Sequence, residues 1–185
     1  MEFFSTIGKF HESTENYTLE DLASAIQEKS FREVYSAVLP GIWESAIRTD
    51  EIKRQITGSG MGFHDLLSES EMKDYGNAKA ALFEAENKDP DLKVKVKLLE
   101  IVDATIYSYM KGFWKDSQSV NSELTDGVFR AKHLLMSAVV TPFEISVWKE
   151  WHSRLKDRIL SLDDKKIAVI VNVESRYWFV DNLSS

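Results

Sequence analysis

The sequence predicts a mainly α fold: a single domain over residues 1–185, with about six to seven helices in a bundle-like or orthogonal arrangement and a small C-terminal β-hairpin. Three observations carry that expectation. Helix-start signatures, an oxygen-bearing side chain three residues ahead of an acid, recur along the chain. Long segments repeat apolar residues at helical spacing. Only the tail departs from this pattern, with two short β-branched and aromatic runs.

Residues 1–17 show no helical pattern and are expected to be poorly structured. "TLED" at 18–21 opens a helix over 19–29, and "SFRE" at 30–33 opens another over 31–39. Pro40-Gly41 separates these from a helix over 42–57, which the glycine-rich "TGSGMG" closes. A long helical segment follows over 63–88, with the start signature "SESE" at 68–71 inside it. Asp89 then caps a helix over 91–114, with Pro90 at its first turn, where a missing N–H leaves no bond unmade. The next helix covers 122–140, and Thr141, Pro142 and Glu144 repeat the cap, proline and acid to start one over 142–161. Last, "KKIAVIVNV" and "RYWFVDN" flank Glu174-Ser175 and are expected to pair as a hairpin over 166–181. Glu-Ser is a poor two-residue primed turn, which leaves a longer loop or another pairing partner open.

Projected as helices, two segments show apolar residues on more than one side. In 91–114, Leu92, Val96, Leu99, Val102, Ile106, Met110 and Phe113 form one stripe, and Val94, Leu98 and Ile101 form a second nearly opposite. In 122–140, apolar residues including Leu124, Val128, Phe129 and Leu135 leave only Asp126, Arg130, His133 and Ser137 as a polar strip. Both helices are therefore expected to be central, whereas 142–161 is one-sided.

Composition narrows the function. The 43% hydrophobic and 11% aromatic content excludes a disordered chain. The absence of cysteine excludes disulfide frameworks, thiolate metal sites and cysteine catalysis. A net charge of −7 argues against a dedicated nucleic-acid binder. The charge is unevenly spread, with 18 acidic and 9 basic residues in 1–91 against 12 and 14 beyond, a pattern that solvated helix faces account for. The longest apolar run is the five residues 167–171, far short of a membrane span, so a soluble, cytoplasmic protein is expected.

Two ionisable side chains sit where apolar ones belong. His152 falls among Ile145, Trp148, Leu155 and Ile159, and Asp103 lies beside Leu99, Ile106 and Met110. A lone buried carboxylate costs several kcal/mol, and a facing histidine offers it an N–H donor. Asp103 is accordingly expected to meet His152, or else the strip holding Arg130 and His133. Such a couple reads as a core pair fixing helix register, as a buried acid–base or pH-responsive pair, or as a haem site through His152.

No motif names a reaction. "GSGMG" at 58–62 lacks the preceding strand and following Lys-Ser or Lys-Thr of a phosphate loop. The His64-Asp65 doublet, with His11 upstream and Asp103 downstream, resembles in order the metal set of the helical HD phosphohydrolases, a resemblance confined to the dipeptide. There is no His-Glu-x-x-His, and no serine stands in a Gly-x-Ser-x-Gly elbow, so neither helix-borne zinc nor serine-hydrolase chemistry is indicated.

The remaining signal is the aromatic tail. Trp148, Trp151, Tyr177, Trp178 and Phe179, rimmed by Arg154, Arg158 and Arg176, have the composition of an interface core with a charged border. The leading expectation is therefore a non-enzymatic intracellular binding or regulatory protein, an inhibitor, adaptor or immunity-type modulator, acting through the last helix and hairpin on a protein partner. A hairpin edge could also pair with a second copy as a homodimer. The alternative is a helical sensor or small-ligand-binding domain with a polar pocket between the two central helices, holding Asp103, His133, Arg130 and His152. A metal-dependent, phosphohydrolase-like enzyme is the third reading. No catalytic residue, metal or cofactor is assigned, and neither nucleic acid nor membrane is expected as a partner.

Overall fold

The computed structural model describes residues 1–8, 11, 16–39, 47–139, 142–162 and 166–183. In chain order the elements are β1 (Glu2–Thr6), α1 (Leu19–Glu28), β2 (Glu33–Ser36), α2 (Ile47–Gly58), β3 (Gly62–Asp65) and α3 (Glu69–Lys88). They continue as α4 (Pro90–Phe113), α5 (Ser117–Val120), α6 (Glu123–Val139), α7 (Pro142–Leu160), β4 (Ala168–Asn172) and α8 (Arg176–Leu183). Helix dominates, as the periodicity predicts. Thr18 and Ser68 each form a capping box, and Asp89 caps α4 with Pro90 in its first turn. The expected cap at Thr141 and the Pro40-Gly41 break lie outside the described residues. Among the described residues no helix is long and apolar enough to cross a membrane.

The β structure differs from the expected hairpin. Four parallel strands form one sheet in the order β1-β4-β2-β3. β4 lies between β1 and β2, pairing Ala168 with Glu2 on one side and with Val34 on the other. A central parallel strand is covered on both faces and reads as an unbroken apolar run, which is why 167–171 shows no alternation. The run after it, "RYWFVDN", is not a strand but α8. Turn bonds from Ser175 N–H to the Asn172 carbonyl and from Trp178 N–H to the Ser175 carbonyl lead β4 directly into that helix.

Three shorter elements also depart from expectation. The N-terminal stretch is ordered from Glu2 as β1, and segments read as helical at 31–39 and 63–88 contain β2 and β3. Strands of four or five residues hold too few positions for a period to show, and their partners are distant in sequence.

The sheet is covered on both faces. Phe4, Val34, Ala168 and Ile170 pack into a core with Leu22 and Ile26 of α1, Ile52 and Ile56 of α2, and Trp114 and Phe129. Phe3, Val169 and Val171 pack oppositely against Tyr75 of α3, Trp151, Leu155 and Ile159 of α7, and Phe179 of α8. The two helices expected to be central are instead peripheral. On α4, Val94 is 71% exposed and Leu98 and Ile101 face outward with it, while the first stripe is only partly covered. On α6 the phase is turned: Leu124, Leu134 and Leu135 are exposed, whereas Asp126 is buried.

Asp126 turns inward because it has a partner. Arg176 Nη1 donates to its Oδ2 at 2.5 Å, and Arg176 Nε reaches the Phe3 carbonyl at 3.3 Å, tying α6, α8 and β1 together. Burial pushes the Asp126 carboxyl above its ordinary range despite the adjacent guanidinium. Arg176→Met should therefore destabilise the fold by about 3 kcal/mol, the lower end for a broken buried pair, because Asp126 takes up a proton rather than stay charged. Urea denaturation at pH 7 measures this; a loss under about 1 kcal/mol would mean that the pair contributes as little as a surface one.

Candidate functional site

The carboxyl ends of β1, β4 and β2 open into one cavity of about 630 Å³. Ile7, Asn172 and Leu39, each just beyond or at the end of its strand, contribute to its lining. Asn172 fixes this end of the sheet: its side chain accepts from the Leu39 N–H at 2.8 Å and donates to the Leu39 carbonyl at 3.1 Å. Helices α3, α4, α6 and α7 line the rest through Tyr75, Tyr107, Met136 and Trp148, among others. The carboxyl ends of parallel strands are where open α/β sheets place ligands, and the volume lies within the usual range for small-molecule pockets.

Two polar clusters meet there. In the first, Lys132 of α6 lies between two carboxylates, pairing with Asp103 of α4 and with Glu174 Oε2 at 2.7 Å, just past β4. The Tyr107 hydroxyl donates to Glu174 Oε1 at 2.5 Å. The Lys132 side chain is 9% exposed, so burial alone would lower its ammonium; the two carboxylates outweigh that and raise it. Burial likewise works against the Glu174 carboxylate, but Lys132 and the Tyr107 hydroxyl hold it below the ordinary range. The three charged groups together carry one net negative charge.

The second cluster is histidine and serine. His152 Nδ1 lies 2.7 Å from the Trp148 carbonyl and its Nε2 lies 2.8 Å from Ser175 Oγ. A carbonyl only accepts, so the ring proton sits on Nδ1 and Nε2 presents a lone pair to the serine hydroxyl. The Trp148 ring stacks on the imidazole with centroids 3.9 Å apart, and Trp178 and Phe179 enclose it further. Burial pushes the His152 imidazolium down to about 4, so the ring is neutral at pH 7. Neighbouring His133 shares a 2.8 Å hydrogen bond with the Tyr177 hydroxyl and is likewise held by burial to about 4.

The structure brings Asp103, His133 and His152 to one cavity, though not as the expected couple. Lys132 takes the place assigned to His152 beside Asp103, whose side chain is 38% exposed toward the cavity. Arg130 lies elsewhere, paired with Asp181 by two bonds of 2.9 and 2.8 Å. Sequence reasoning missed Lys132, Tyr107, Asn172, Glu174 and Ser175. A signal for the last two was present: a polar Glu-Ser pair directly after an apolar run covered on both faces marks the carboxyl end of a parallel strand.

The aromatics of the expected interface are largely engaged within the chain, three of them buried and Trp148 and Trp178 half-buried. Phe179, Trp151 and Tyr177 are buried, and Trp148 and Trp178 pack with His152. Their arginine rim is also engaged within the chain. Arg154 pairs with Glu150 and lies over the Trp151 ring, Arg158 bonds Glu71 and the Leu66 carbonyl, and Arg176 holds Asp126. The hairpin edge expected to pair two copies is likewise replaced, since β4 has a strand on either side.

The HD-type order does not become a cluster. His11 bonds Thr6 and the Ile7 N–H through Nε2 and the Tyr17 carbonyl through Nδ1, while His64 pairs with Glu33 at 2.6 Å. Among the described residues, no three His, Asp or Glu side chains converge as metal ligands would. Set against protein-family models, curated proteins and solved structures, the chain matches none.

Proposed function

We propose that the chain is a small-ligand-binding domain whose site is the cavity at the carboxyl ends of β1, β4 and β2. The observation that carries this reading is convergence: one cavity holds the Asp103–Lys132–Glu174 cluster, the neutral His152–Ser175 pair and the Asn172 amide. Buried polar groups without a structural reason to be apart from solvent-facing loops, gathered in a pocket with apolar walls, are the usual makings of a binding site.

The lining also bears on the ligand. Lys79, Lys111 and Lys132 balance Glu100, Asp103 and Glu174, so the cavity has no formal charge excess. This favours a neutral or zwitterionic molecule with hydrogen-bonding groups over a polyphosphate. The protein-facing reading based on the last helix is weakened, since Trp151, Tyr177 and Phe179 are buried within the domain and the half-buried Trp148 and Trp178 pack against His152.

A fragment library of neutral polar compounds, screened by amide chemical shifts on the full chain, tests the proposal. Binders should perturb Asn172, Glu174 and Ser175 together, and Glu174→Gln should weaken them at least tenfold. Binders that shift only residues remote from the cavity would refute it.

A further inference from the structure

We propose that Ser175 is the nucleophile of an acyl-transfer reaction, with His152 as its general base, acting on a small neutral carboxylic ester held in the cavity. This inference rests on the cavity's taking a small ligand and adds chemistry to it.

Three features of the geometry point the same way. First, nucleophile, base and orienting group form one chain. The Trp148 carbonyl fixes the proton on Nδ1, which leaves Nε2 as the acceptor for the Ser175 hydroxyl at 2.8 Å. Second, both residues line the cavity, so the pair meets a space that a substrate can occupy.

Third, Ser175 immediately precedes α8, at the turn from the central strand into the helix. A serine there ordinarily turns its hydroxyl back to cap the first free N–H groups of the helix. Here Oγ is directed to His152 instead. The Trp178 and Phe179 N–H groups are taken by the Ser175 carbonyl, so it is the Arg176 and Tyr177 N–H groups that stand at the positive end of the helix dipole, where an oxyanion on the substrate attacked by Oγ would develop. Strand-to-helix turns present nucleophilic serines in this way, with small flanking residues to relieve crowding. In that motif the small residues lie two before and two after the serine; here those positions are Val173 and Tyr177, both bulky and buried, so Ser175 shares the strand-to-helix placement and not the glycine flanks.

The reaction balances with water as the co-reactant. Ser175 Oγ gives its proton to His152 Nε2 and bonds the ester carbonyl carbon, whose π electrons move onto oxygen toward the α8 N–H groups. Collapse re-forms the C=O bond and expels the alkoxide, which leaves as the alcohol with the proton from Nε2. Water then loses a proton to Nε2 and attacks the acyl carbon. The acid departs and Oγ recovers its proton. Burial works against the imidazolium formed in between, while the Nδ1 bond to the Trp148 carbonyl and the nearby Glu174 carboxylate favour its charge.

Labelling of the full chain with a fluorophosphonate, read by intact mass and peptide mapping, tests this. The expected result is a single adduct on Ser175, absent from Ser175→Ala and slowed at least 100-fold in His152→Gln, with both variants checked for folding by circular dichroism. Ser175→Cys offers a second readout, because the chain has no cysteine of its own. Its thiol should react with iodoacetamide at pH 8 with the neutral imidazole taking the proton, and more slowly when His152→Gln is added. An unlabelled wild type whose Ser175 amide still shifts with a cavity ligand would overturn the nucleophile and leave the binding site standing. Loss of both signals would overturn the two together, and equal labelling in His152→Gln would remove the base.

Discussion

Lys132→Met should destabilise the protein by about 2 kcal/mol at pH 7, below the scale for breaking a fully buried charge pair because the two carboxylates left behind are each about a third exposed. The methionine fills nearly the same volume, so the loss comes from charge and not from a void. In the wild type the ammonium is nearly enclosed and pairs with Asp103 and Glu174 at once. Without it, two carboxylates are left side by side with only the Tyr107 hydroxyl to satisfy Glu174. The pH dependence separates this account from simple mispacking. A carboxyl held below its ordinary value lends stability above that value and loses it as pH falls, so the wild type is the one that gives up stability in acid. The deficit of Lys132→Met should then be largest above pH 4.5 and narrow below it, as the mutant's carboxyls protonate. A deficit that is constant from pH 7 to pH 4 would point to lost packing.

The wild-type protein should itself lose several kcal/mol between pH 6.5 and pH 4, well before most carboxylates protonate. His152 and His133 are both held neutral by burial, with folded values of about 4 against an ordinary 6.5. Through that window the unfolded chain binds protons that the folded chain refuses, so stability rises with pH between 4 and 6.5 and is fully present above it. His152 is almost wholly buried, and its shift alone corresponds to about 3 kcal/mol. Asp126 works in the opposite sense, since its raised carboxyl takes a proton more readily in the folded state and offsets part of the loss. Denaturation midpoints at half-unit pH steps would show the slope. His152→Gln should flatten it, because glutamine keeps a hydrogen-bonding group but has no proton to gain.

Helices α1, α4, α6 and α7 were legible in the sequence because each is long enough to show a period, and α1 and α4 are announced by a cap at Thr18 or Asp89. The strands were hidden for opposite reasons. β2 and β3 are too short to carry a pattern, and β4 is too well covered to alternate. The tail misled because its aromatics, apolar all round, suit a short helix wedged between the two cores as well as they suit a strand. At the site, the sequence pointed to Asp103 and His152 because each interrupts an apolar stripe. Their partners were not legible: Lys132 reads as an ordinary solvent-facing lysine until α6 is seen to turn that side inward. Leu134 and Leu135 then point to solvent, the reverse of what hydrophobicity alone dictates.

The charge state and tautomer of His152 bear most directly on this account, because both the cavity's polarity and the activation of Ser175 depend on them. Long-range nitrogen–proton correlation of the labelled imidazole reads both. A proton on Nδ1 and a neutral ring from pH 8 down to about pH 5 is the expected result. A ring that titrates near 6.5, or that carries its neutral-form proton on Nε2, would contradict it.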